Sequence, residues 1–182
     1  DLRSGLDRLK QTAYTPQLLQ LDRMEQGHEE GAVSFAAFIS FLLESARSLE
    51  TEPLPDLPNV DAFHRSLALQ KTIDFDAVDR ERAALFAELE KVLVREELAE
   101  LLKQSLAYRM GRIGAAAYFA RVIALLPEES RPGREARFPN FFRYAGLVEI
   151  QARIEGETLF REVDDLARRL RDHLTPATRC PS

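Results

Sequence analysis

Few residues in this chain could do chemistry, and their spacing limits what that chemistry would be. Asp61 and His64 stand three apart, which on one helix sets both on one face, as paired metal ligands are set in some bundles. A metal centre needs more carboxylates and a second histidine in register. The positions of the chain that align with this pair, Phe142 and Ala145, supply neither, so no metal site is expected and the pair reads as an exposed ionic one. His28 lies beside Glu29 and Glu30 near glycines at a helix end and reads as solvated, whereas His173 suits the negative end of a helix dipole. Cys180 is the single cysteine, lies two residues from the end, and has no histidine near it. It can form no internal disulfide. With no glycine-rich phosphate loop and no serine elbow, neither catalysis nor a bound cofactor is expected.

The densest mixture of charge and aromatic rings runs from Arg131 to Tyr144. Arg131, Arg134, Arg137 and Arg143 alternate there with Phe138, Phe141, Phe142 and Tyr144. Forked cations and flat rings suit an acidic peptide or a single-stranded nucleic acid. Charge decides between them. Four arginines against Glu128, Glu129 and Glu135 leave +1 over residues 128–144, in a chain whose net charge is −5. Phosphate binding demands a stronger positive field, so nucleic acid is not expected. The candidate partner-binding residues are Arg131, Arg134, Arg137, Phe138 and Phe142, directed at a protein partner or a second copy of the chain.

These residues must be positioned by helices. A short turn recurs at Val33-Ser34, Ile73-Asp74, Ile113-Gly114 and Ile154-Glu155. In each, an apolar residue is followed five positions later by another: Val33 by Phe38, Ile73 by Val78, Ile113 by Tyr118, Ile154 by Leu159. That is the spacing of a hydrophobic staple, and each pair is expected to be buried where its helix begins. Ser34 and Asp74 are good caps, Gly114 is tolerated, and Glu155 is poor.

A longer unit underlies the turns. Shifting residues 58–93 by 81 aligns Pro58-Asn59 with Pro139-Asn140, Gln70 with Gln151, Ile73 with Ile154, Arg80-Glu81 with Arg161-Glu162, and three leucines with three others. That makes nine identities in 36 positions without a gap. A shift of 80 matches Leu18, Leu21, Gly31, Ala36 and Ala37 to Leu98, Leu101, Gly111, Ala116 and Ala117. The expected fold is all-α: about eight helices in four antiparallel hairpins, a tandem duplication of a four-helix unit arranged as a solenoid or bundle. Residues 1–12 read as the tail of a preceding helix, 13–93 as the first unit, 94–174 as the second, and 175–182 as a C-terminal tail. The period is near that of HEAT-type arrays and longer than that of tetratricopeptide repeats. The motif residues of neither can be placed, so the period carries no function.

Prolines at 53, 55 and 58 predict an extended crossing over 51–59, and 127–139 is its counterpart. The apolar stripe slips by one residue between Leu93 and Val94 and resumes at Leu98, Leu101, Leu102 and Leu106, which predicts a break near Val94.

With 182 residues, 45% of them hydrophobic, the chain can build a core without metal or disulfides. No apolar run approaches the 18 or so residues of a membrane span. The chain opens at Asp1 and reads as a piece of a longer protein, whose location it does not disclose. Two functions fit. One is a non-catalytic interaction or scaffolding domain that binds a protein partner or itself; the other is a ligand-binding helical domain with a pocket between the two repeat units.

Overall fold

Proline and capping side chains mark where the helices begin. Thr15 precedes Pro16 and its hydroxyl accepts the Leu18 N–H at 3.2 Å, which starts α1 (Pro16–Glu29). Ser34 and Asp74 accept from Ala37 and Ala77 in the same way, starting α2 (Phe35–Ser48) and α4 (Phe75–Val92). Between them lies α3 (Pro58–Gln70). The computed structural model describes residues 14–49, 56–126 and 131–175. Its later elements are α5 (Arg95–Arg109), α6 (Ala115–Ala124), α7 (Arg131–Arg137), α8 (Pro139–Ala152) and α9 (Gly156–Leu174). Among the described residues the structure is all-helical, and no helix is long and apolar enough to cross a membrane.

Several boundaries fall where expected. The chain breaks between Val92 and Arg95, and Glu97 reaches back to accept the Val94 N–H at 3.1 Å. Gly31 and Gly111 adopt φ of 75° and 68°, the left-handed conformation that closes a helix without steric cost only for glycine. Glu155 and Gly114 give no side-chain cap bond. Residues 1–12, residues 51–55 of the first crossing, and Cys180 lie outside the described residues.

Other expectations need correction. Pro58 does not belong to an extended crossing; it opens α3, since a ring without an N–H costs nothing at the first helical position. Residues 131–137, read as part of a crossing, form α7, which makes nine helices among the described residues where about eight were expected. Only one staple buries both partners: Ile73 and Val78 pack with Leu147, whereas Val33, Ile113 and Ile154 remain half-buried over buried Phe38, Tyr118 and Leu159.

The chain divides into two compact units. The first comprises residues 1–64 and 155–182, the second residues 65–154. In the first, α9 packs on α1 and α2, with Leu18, Leu21, Ile39, Leu42, Leu166 and Leu170 among its buried residues. In the second, α8 packs on α4 and α6 around Leu85, Leu89, Phe119, Val122 and Phe141. Phe119 is a hub there, with its ring centroid 5.2–6.0 Å from those of Tyr108, Tyr118, Phe141 and Tyr144. Burial pushes the Tyr144 phenol above its ordinary pKa.

Each unit carries the same polar clamp. In the first, the Asn59 side-chain amide donates to Glu162 at 2.7 Å, and the other oxygen of Glu162 accepts the backbone N–H groups of Asn59 and Val60, both at 2.9 Å. The Asn59 side-chain oxygen, Oδ1, accepts the Glu155 N–H at 2.8 Å. In the second, Asn140 donates to Glu81 at 2.7 Å, Glu81 accepts the Phe141 N–H at 2.8 Å, and Asn140 accepts the Asp74 N–H at 2.9 Å. A carboxylate from a distant helix thus caps the orphan amides of a proline-started one, at the positive end of its dipole.

Candidate interaction surface

The arginine-rich segment is tied down rather than free. Arg134 and Arg137 of α7 share one carboxylate, that of Glu88 on α4, at 3.6 and 2.6 Å. The Arg134 side chain is only 13% exposed, while that of Arg137 is 65% exposed and lies over the Phe138 ring, 5.2 Å from its centroid. Phe138 itself is 5% exposed, packed in the core of the second unit, so its ring serves the fold and not a free surface. Phe142 is half-buried and stands edge-on to Phe141 at 5.4 Å. Arg131 opens α7, and its side chain lies outside the described residues. Of the five candidates, Arg137 and Phe142 are those seen to keep appreciable contact with solvent.

Phe142 also lines a surface cleft of about 560 Å³ within the second unit, together with Ala116, Ala120, Ala145, Gly146, Glu135 and Glu149. Arg143, at its rim, donates to the Thr72 carbonyl at 3.0 Å. A smaller cleft of about 240 Å³ lies in the first unit beside Phe41 and Leu174.

The histidines do not converge. Among the described residues, no three His, Cys, Asp or Glu side chains gather as metal ligands would. His28 is not simply solvated, as its acidic neighbours suggest. Its ring stacks on Phe38 at 5.0 Å and its Nδ1 lies 3.1 Å from the Val33 carbonyl oxygen. The same place in the second unit holds Tyr108 stacked on Tyr118 at 4.5 Å, with the Tyr118 hydroxyl 3.1 Å from that of Ser105.

The surface that stands out is on α5. Its expected inward stripe was Leu98, Leu101, Leu102 and Leu106, yet of these only Leu101 is buried. Leu102, Leu106 and Met110 are 60%, 59% and 53% exposed, and their spacing of four places them in one row along the helix. Among the described residues there are seven large exposed hydrophobic side chains, and five of them, Val92, Val94, Leu102, Leu106 and Met110, lie between residues 92 and 110. The other two have ring partners: Phe75 packs edge-on to Tyr144 and Phe160 tilts against Phe35.

Sequence reasoning assigned Leu102 and Leu106 to the core because a leucine at helical spacing usually is core. The signal that corrects it was present. At the shift of 80 residues, α1 carries Asp22, Gln26 and Glu30 where α5 carries Leu102, Leu106 and Met110. A face that is polar in α1, with Gln26 donating to Glu30 at 2.8 Å, is not one the shared helix packing needs to be apolar.

Charge runs along α5 as well. Residues 95–100 hold Arg95 against Glu96, Glu97 and Glu100, a net of −2, and residues 103–112 hold Lys103, Arg109 and Arg112, a net of +3. A hydrogen bond from Gln104 holds the Glu100 carboxyl below its ordinary pKa, aided by the charge of Lys103. No family model matches this chain, and neither the curated proteins nor the solved structures offer a match to it.

Proposed function

We propose that this chain is a helical interaction module that works without catalysis and docks a protein through the outer face of α5. The observation that carries this reading is the exposed row Leu102, Leu106 and Met110. Apolar side chains scattered singly over a surface need no explanation, but a contiguous row marks a contact site. Covering three half-exposed side chains of this size contributes on the order of 1 kcal/mol each. Arg137 and Phe142 take no primary part in this reading, because one is held by Glu88 and the other by Phe141.

The architecture behind the module reads as a duplication in which the fourth helix of each copy has been exchanged. Three matched features support this: the Asn–Glu clamps, the stacked rings at His28–Phe38 and Tyr108–Tyr118, and the left-handed glycines at 31 and 111. Glu81 belongs to the first repeat of the sequence yet clamps a helix of the second, and Glu162 does the converse.

The test is photo-crosslinking in the cell of origin, with a benzoyl-phenylalanine placed in turn at Leu102, Leu106, Asp22 and Gln26. Protein adducts are expected from the two α5 positions and not from the α1 pair. Their absence at all four positions would overturn the docking reading.

A further inference from the structure

We infer that the occupant of the α5 face is a second copy of this chain, paired helix to helix in antiparallel fashion. This rests on the reading of α5 as a docking face and goes on to name its partner. The argument is self-complementarity. A two-fold axis brings a surface onto itself, so the surface must match its own reversal. Residues 95–100 carry a net of −2 and residues 108–113, with Arg109 and Arg112, a net of +2, so reversal about the middle of α5 sets −2 against +2 twice over. In the register where Leu102 of one copy meets Leu106 of the other, Leu98 meets Met110, Glu100 falls within a turn of Arg109, and Glu96 lies toward the closing turn at Gly111 that carries Arg112. The apolar row pairs with itself in the same register that joins unlike charges. An unrelated partner gives no reason for both features to share one axis. Antiparallel alignment also places the positive end of each helix dipole beside the negative end of the other.

The strength of the dimer follows from its size. A helix of 15 residues is about 22 Å long, which falls short of the roughly 800 Å² per partner of standard complexes. The dimer is therefore expected to dissociate with a constant on the order of micromolar to tens of micromolar.

Sedimentation velocity on the whole chain, over about 1 to 200 μM to bracket that constant, tests the inference. The chain is expected to pass from monomer to dimer across the range. One variant carries Glu96→Lys and Glu100→Lys, and another carries Arg109→Glu and Arg112→Glu. Each alone is expected to weaken the dimer on the order of tenfold or more, by bringing like charges together. Mixed in equal amounts, the two are expected to form a heterodimer at least as tight as the original, which also shows that both variants are folded. A chain that stays monomeric throughout, or a dimer indifferent to both variants, would overturn the inference. If crosslinks from Leu102 and Leu106 then lead to another protein, docking through α5 stands and self-pairing fails; adducts of twice the chain mass support both.

Discussion

Helices α1 and α5 match in sequence along their inner faces and differ most in what they show to solvent. Leu18 and Leu21 face the core from α1, Leu98 and Leu101 occupy the matching positions of α5, and each helix ends at a left-handed glycine. Outside, α1 presents Asp22, Gln26 and Glu30, and α5 presents Leu102, Leu106 and Met110. The inner face answers to packing and the outer face to something else. A mutation confined to one face therefore separates the fold from the proposed docking.

The largest effect is expected on the inner face. Leu21 and Leu101 are 1% and 4% exposed, and cutting either to alanine removes buried methyl groups and leaves a cavity. Each change is expected to cost about 2–5 kcal/mol in chemical denaturation, with the two values close to each other. A large loss at Leu21 with none at Leu101 would break the equivalence of the two helices.

The clamps come next. Glu81→Ala strands the Phe141 N–H and the Asn140 amide, and Glu162→Ala strands the N–H groups of Asn59 and Val60. Each is expected to cost about 1–3 kcal/mol, the penalty for part-buried donors left without an acceptor. Hydrogen exchange is expected to rise at the first turn of α8 for one variant and at the first turn of α3 for the other. Unchanged exchange at both would mean that the clamps do no capping.

The smallest effect on stability sharpens the contrast most. Leu102→Asp with Leu106→Gln grafts the outer face of α1 onto α5. The unfolding free energy is expected to change by no more than about 0.5 kcal/mol, as for other exposed sites, while the proposed dimer is lost from sedimentation profiles. A severe loss of stability would show that these leucines serve the fold after all.

Much of this could be read from the residues, because helix formation is governed locally. Period, capping side chains and proline positions fixed the all-helical class, the break beside Val94 and the starts at Thr15, Ser34 and Asp74. The identities Pro58-Asn59 with Pro139-Asn140 and Glu81 with Glu162 were visible as well. Their meaning was not. A repeated asparagine and glutamate announce a shared role without saying which glutamate meets which asparagine, since the partners lie 59 and 103 residues apart. Only the packed chain joins Glu81 to Asn140 and Glu162 to Asn59. The same limit explains Phe138 and Leu102. Composition cannot tell a ring turned into the core from one turned out, nor a leucine covered by a neighbouring helix from one left bare, because burial is decided by elements remote in sequence. Helices and their ends belong to neighbours three or four residues away and are written in the sequence; which face each helix hides, and which α5 leaves open, follows from contacts that exist only once the chain has folded.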